Sequence, residues 1–340
     1  MEISPFVRDL PKVELHLHIE GTLEPDLKFK LAERNRVEIP YKTEQEVKDS
    51  YQFTDLASFL DAYYEGMRVL LTPQDFYDLA MAYFERVAAQ NVRYVEMFFD
   101  PQAHTARGVP FHTVISGLHR AQLEADRRFG IKSGLIMCFL RDFQAEFAMA
   151  TLLEALPYRD WIIGVGLDSD ETGNPPEKFA EVFARARAEG FLLTMHCDVD
   201  IKNSVNHIRQ VIETIGVDRI DHGTNIVEAP ELVAEVKKRG IGLTSCPISN
   251  TWVSDSSKVE LIKQLVTDGV EISVHSDDPA YFGGYIAENY QRVADEGELD
   301  NAFLANLARN AVRSSWATPM LKQEILAEID ATEKRYQQEA

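Results

Sequence analysis

Val13-Glu14-Leu15-His16-Leu17-His18 is a short apolar run that closes on two histidines. In an extended strand, side chains two apart face the same side, so His16 and His18 point together. The arrangement recurs along the chain. Phe191-Leu192-Leu193-Thr194-Met195-His196 ends on histidine, Arg219-Ile220-Asp221-His222 does the same, and Ile272-Ser273-Val274-His275-Ser276-Asp277-Asp278 ends on paired aspartates. Eight such runs occur, at 13–18, 92–98, 132–140, 162–168, 191–196, 219–222, 241–246 and 271–276. Helical patterns separate most of them, among them Pro73 to Gln90, Pro176 to Glu189, Ala229 to Arg239 and Val259 to Asp268. Continuous apolar strands alternating with helices predict a parallel sheet covered on its faces. Eight repeats favour an α/β fold closed as a (β/α)8 TIM-type barrel over an open doubly wound sheet. The C-terminal strand ends of such a barrel share one rim, where its active sites lie.

The chain has 340 residues, of which 45% are hydrophobic, enough for a sizeable core. Its net charge of −20 repels phosphate backbones and anionic lipid, so neither nucleic acid nor membrane is an expected partner. A small neutral or weakly basic substrate is compatible with that surface. The three cysteines, Cys138, Cys197 and Cys246, form no CxxC pair and indicate neither a disulfide framework nor a thiolate zinc knuckle. The start of the chain lacks a basic region followed by an apolar stretch, and no segment approaches membrane-spanning length, so the expected location is the cytoplasm. With no linker tract or internal repeat, residues 1–340 read as one domain. Residues 24–90 exceed one strand–helix crossover and carry three helical patterns (Glu24–Asn35, Leu56–Val69, Pro73–Gln90). They predict a helical insertion after the first strand, a candidate lid over the barrel mouth. Residues 299–340 predict charged C-terminal helices packed outside the barrel. Nothing in the sequence indicates oligomeric state.

Three imidazoles and a carboxylate on one rim, His16, His18, His196 and Asp277, form a donor set suited to zinc or a similar transition ion. With an open coordination position such an ion activates water, which predicts a metal-dependent hydrolase. The competing reading is a set of satisfied core histidines, but those need not all end strands. His222 is either a further nitrogen ligand or an unligated partner of the activated water. The adjacent Asp277 and Asp278 diverge, so one can bind metal while the other faces substrate. Carboxylates so close repel unless a cation or donor intervenes. His275 is either a partner orienting a ligand or a barrel-layer residue. His104, His112, His119 and His207 read as structural or surface residues.

Several segments resemble the adenosine/adenine deaminase branch of the amidohydrolase superfamily. They are Pro11-Lys12-Val13-Glu14-Leu15-His16-Leu17-His18-Ile19-Glu20-Gly21-Thr22-Leu23-Glu24-Pro25, Asp221-His222-Gly223, Cys246-Pro247-Ile248-Ser249-Asn250-Thr251 and Ser276-Asp277-Asp278-Pro279. Phe98-Phe99-Asp100-Pro101-Gln102, Gly166-Leu167-Asp168-Ser169 and Asp278-Pro279-Ala280-Tyr281-Phe282-Gly283-Gly284-Tyr285 look most similar to the bacterial adenine deaminases. The resemblance implies one Zn2+ on His16, His18, His196 and Asp277, with His222 orienting the attacking hydroxide. It implies substrate contacts from Asp278 (at purine N7), Gly166 and Glu20. The implied reaction is hydrolytic loss of the amine at C6 of a 6-aminopurine. The fourth strand has no lysine to bridge two metals, which favours one ion. Trp252, Phe99 and Tyr285 could stack on a purine, although aromatics more often pack a core.

One segment departs from the family pattern. Where the family has His-Ala-Gly-Glu, with the Glu passing a proton to the ring, this chain has His196-Cys197-Asp198-Val199-Asp200. Loss of a general acid slows such a step by about 10²- to 10⁴-fold. Asp198, which shares the strand parity of His196, and Asp200 are the candidate substitutes. A shorter acid also frees volume near the leaving amine, so N6-alkyl adenines become candidate substrates beside adenine. Glu20, longer than the Asp common in adenosine deaminases, favours free base over nucleoside. Alternatives are adenosine deamination, hydrolysis of another amino-substituted heterocycle, or a metal-bound protein without catalysis.

Overall fold

A computed structural model describes residues 1–197, 204–254 and 256–339. Eight parallel strands pair in the order in which they occur in the chain. They are β1 Lys12–His18, β2 Val92–Phe99, β3 Lys132–Leu140, β4 Ile162–Asp168, β5 Leu192–Cys197, β6 Arg219–His222, β7 Gly242–Ser245 and β8 Ile272–Val274. Almost every strand residue is buried, as expected of strands covered on one side by helices and on the other by the barrel interior. Register aligns His196 with Asp221, Asp221 with Thr244, and Cys197 with His222.

The eighth strand is shorter than expected from residues 271–276. It ends at Val274, and the chain rejoins the ladder at Asp277, which bridges Leu17. Asp277 donates its N–H to His16 O (3.0 Å) and accepts from His18 N–H (3.0 Å), so the seam of the barrel runs through candidate ligands. In the gap, His275 Nδ1 accepts the Leu15 N–H (3.1 Å), supplying an acceptor that the broken ladder lacks. His275 is thus a barrel-layer residue.

The helices sit where the sequence patterns place them, with short additions. The insertion holds helices at Pro25–Asn35, Glu44–Asp49, Leu56–Gly66 and Pro73–Ala88. Helix 73–88 starts on a capping box: Asp75 accepts the Thr72 N–H (2.7 Å) and Thr72 accepts the Asp75 N–H (3.4 Å). Helix 56–66 packs over the rim. Its Phe59 ring lies 4.7 Å from that of Phe282, and Tyr64 donates to Ser169 Oγ beyond β4 (2.9 Å). At the opposite end, Arg219 pairs with Glu96 inside the barrel and lies over the Trp316 ring. Helices Asn301–Ser314 and Pro319–Glu339 follow, and Asn310 Nδ2 donates to Ile272 O (3.0 Å). No helix among the described residues is long and apolar enough to cross a membrane.

Candidate active site

β1 delivers His16 and His18, β5 delivers His196, and the seam delivers Asp277. One donor atom from each lies within 4.8 Å of the others, and all four residues are buried. His18 Nε2 is 3.0 Å from His196 Nε2, and Asp277 Oδ1 is 3.4 Å from both His16 Nε2 and His18 Nε2. The His16 Nε2, fully enclosed, has no hydrogen-bond partner among the described residues. An orphaned imidazole nitrogen facing two more imidazoles and a carboxylate is a donor set that fits a divalent cation.

A polar layer lies behind the cluster. Thr244 Oγ1 sits 2.8 Å from His16 Nδ1 and 3.3 Å from Asp221 Oδ1. Its single proton goes to Asp221, so it accepts from His16. That puts the imidazole proton on Nδ1 and leaves the Nε2 lone pair directed at the cluster. Asp221 also accepts from Thr194 Oγ1 (2.7 Å) and lies 3.6 Å from His196 Nδ1. Asp168 Oδ2 lies 3.4 Å from His18 Nδ1, and Ser249 Oγ donates to Asp277 Oδ2 (2.6 Å). Acceptors placed behind ligating imidazoles fix tautomer and ring orientation.

The electrostatics agree with this assignment. Burial pushes His16 down to about 3, and burial with the neighbouring imidazoles pushes His196 well below the usual range, so both present free lone pairs. Burial works to raise Asp277, but His16, His222 and His18 outweigh it and hold the carboxylate ionised. Burial and Asp277 together push Asp278 well up. Burial raises Asp221 to about 6.

The cluster floors a cavity of about 520 Å³, its open mouth included. His222 and Asp278 face this cavity. His222 Nε2 is 3.9 Å from Asp277 Oδ2. Both His222 (φ 62°) and Asp277 (φ 63°) take the left-handed backbone region, which costs a non-glycine residue about 1–2 kcal/mol. Such strain at two strand ends marks positions held by their surroundings for a purpose. Asp278 Oδ1 has no partner among the described residues, and a Cβ at Gly21 would come within 2.0 Å of it. Leu56, Phe59, Leu60, Val253 and Phe282 give the cavity an apolar side.

Other predicted residues stand elsewhere. Glu20 lies behind the wall, accepting from His104 Nε2 (2.8 Å) and the Asp100 N–H (3.1 Å). Gly166 is buried in β4, where a Cβ would meet Cys138 Sγ at 2.6 Å. Asp198, Val199 and Asp200 lie outside the described residues. Of the candidate stacking rings, Phe99 packs near Phe111 in the core, and Tyr285 donates to Glu24 (2.8 Å). Trp252 packs edge-on to Phe53. Sequence reasoning missed Asp221, Thr244, Asp168 and Ser249 as supporting residues. Asp168 ends an apolar run as the candidate ligands do and carried the same signal; the others become visible only through register.

The adenosine deaminase family profile matches residues 11–332. An adenine deaminase of Rhodospirillum rubrum is 48% identical over 334 residues, covering 97% of this chain and 99% of the relative. An uncharacterised deaminase of Schizosaccharomyces pombe is 47% identical, covering 98% and 99%. The crystal structure of an adenine deaminase from Arthrobacter aurescens superposes with a TM-score of 0.91 at 41% identity, covering 95% of this chain and 98% of that one. A zinc-bound amidohydrolase from Burkholderia ambifaria superposes at 0.88 with 28% identity, covering 98% and 96%. The strand-end histidines, the closed eight-stranded barrel and these full-length matches agree: this chain belongs to the adenosine deaminase family.

Proposed function

We propose that this protein hydrolytically deaminates an adenine-type free base at C6, using one zinc ion held by His16, His18, His196 and Asp277. The observation that carries the proposal is the convergence of those four donor groups, with His16 Nε2 left without a partner. Bound there, the ion would supply a Lewis acid that brings the pKa of a coordinated water toward neutrality. Relatives named adenine deaminase, nearly full-length, support adenine as the ring. The −20 net charge supports a small uncharged substrate over a polyanion.

The chain's own residues then have separable tasks. His222, facing the cavity beside Asp277, orients the attacking water and takes its proton. Asp278 hydrogen-bonds the ring at N7, with Gly21 giving it room. Glu20 acts from behind the wall, where it holds the Asp100 N–H (3.1 Å), and Gly166 lets β4 pack tightly beneath the ring. Addition of water oxygen to C6 is matched by a proton to the neighbouring ring nitrogen. Asp198, with Asp200 as the second candidate, takes the donor role that the family's Glu fills and Val199 cannot. His222 then returns its proton to the leaving amine, the C6 hydroxyl gives its proton back to the donor carboxylate as the carbonyl forms, and cleavage of the C6–N bond releases ammonia and leaves hypoxanthine. The apolar side of the cavity, Leu56, Phe59 and Leu60 among it, suits an alkyl group on the leaving amine. N6-substituted adenines are therefore proposed as further substrates.

Purified protein is assayed for metal content, and for amine and hypoxanthine release from adenine, N6-methyladenine and N6-isopentenyladenine. Turnover dependent on about one zinc per chain is expected. No release from any of the three overturns the proposal, and a large preference for adenine removes its N6-alkyl part.

A further inference from the structure

Asp100, in Phe98-Phe99-Asp100-Pro101-Gln102, has no task in the steps above, yet it stands in the cavity wall at the end of β2. It is 2% exposed, its Oδ1 makes no hydrogen bond to a donor group among the described residues, and its carboxyl stands within 4.8 Å of the Asp168 carboxyl and a His18 ring nitrogen. A buried acceptor left unpaired costs about 1–3 kcal/mol, a cost that a donor on a bound ligand removes.

Asp100 is braced from behind. Its N–H donates to Glu20 Oε1 (3.1 Å), and the same oxygen accepts from His104 Nε2 (2.8 Å). His104 Nδ1 in turn accepts from the Arg107 guanidinium (2.8 Å), which also donates to Leu70 O. Arg107 can only donate, which assigns the His104 proton to Nε2. None of Glu20, His104 and Arg107 lines the cavity. Their combined effect is to set the position of the Asp100 carboxyl.

A free 6-aminopurine carries a ring N–H that every N9-substituted purine lacks. With C6 at the ligand cluster and N7 at Asp278, N9 lies beyond C8, two ring positions past N7 and farther from the cluster than C6. Asp100 and Asp278 face the same cavity. A carboxyl oxygen accepts a hydrogen bond whether or not the group is ionised. We propose that Asp100 Oδ1 accepts the N9–H of the base and so selects free base against N9-substituted purines, with Glu20 and His104 as positioning residues. The proposal rests on the free-base deaminase function above.

The test compares kcat/KM for adenine and 9-methyladenine. A site built around a ring donor discriminates strongly against the analogue lacking it, so the wild-type ratio is expected to exceed about 100. Asp100→Ala is expected to lower turnover of adenine by about 10- to 100-fold, the worth of one buried hydrogen bond, while 9-methyladenine holds or gains. His104→Leu is expected to lower the ratio and His104→Gln, which still donates to Glu20, to restore it. As a measurement independent of any variant, calorimetry on the wild-type protein compares hypoxanthine with 9-methylhypoxanthine, and tighter binding of the former is expected. An equal fall for both substrates in Asp100→Ala overturns the proposal. So does equal wild-type binding of the two products, with wild-type turnover of adenine present in either case. Wild-type protein that turns over no 6-aminopurine overturns the parent function instead, and the proposal with it.

Discussion

Replacing Thr244 with valine removes one oxygen from the site while keeping the shape of the side chain. Thr244 is fully buried, and its hydroxyl accepts from His16 Nδ1 (2.8 Å) while donating to Asp221 (3.3 Å). The variant leaves the His16 imidazole without the group that sets its tautomer. Asp221 keeps its bond from Thr194 (2.7 Å) and loses the weaker of two. Removing an acceptor of this kind behind a ligating histidine costs about 10- to 100-fold in metal affinity. That corresponds to roughly 1.4–2.8 kcal/mol. The metal-free protein should also lose about 1–3 kcal/mol of stability, because a buried N–H is left unpaired. Chelator competition measures the first quantity and denaturant unfolding of the metal-free protein the second. Thr244→Ser should restore both. Turnover of the fully loaded variant should stay near wild type, since Thr244 does not face the cavity. Unchanged metal affinity in Thr244→Val would refute the assignment of the His16 proton to Nδ1.

Further outcomes follow from the same geometry. His222→Gln should lower kcat by about 10²- to 10⁴-fold, the worth of a positioned proton-transfer group, with metal content unchanged by elemental analysis; metal loss instead would make His222 a ligand. Gly21→Ala puts a methyl 2.0 Å from Asp278 Oδ1, so KM for adenine should rise by about tenfold, as for loss of one buried hydrogen bond, with the fold intact by circular dichroism. Burial pushes Lys12 from 10.5 down to about 7. Between those values the unfolded chain binds a proton that the native chain does not, so the contribution of Lys12 to stability rises with pH across that window and is flat outside it. At roughly 1.4 kcal/mol for each pH unit the ceiling is about 5 kcal/mol. Urea unfolding of wild type and Lys12→Met from pH 6 to 11 reads the difference, and a pH-independent difference would show that Lys12 stays charged in the fold.

The barrel was legible because its signals are local. A strand buried on both faces needs an unbroken apolar run, and a helix covering it needs its own period, so β3 and helix 73–88 announce themselves within a dozen residues each. The candidate ligands at the rim were legible for the same reason: His16, His18, His196 and Asp277 each end such a run. A strand pattern says nothing about what lies opposite it. That Asp221 faces both His196 and Thr244 depends on a register between strands more than twenty residues apart. That Glu20 turns back to His104, leaving Asp100 in the wall, depends on the docking of a helix eighty residues away. Periodicity within one segment therefore determined the strands, the helices and the metal-ligand candidates. The tertiary packing alone decided the tautomers, the paired and unpaired carboxyls and the shape of the cavity, because each of these is set by contacts between segments that only the closed barrel brings together.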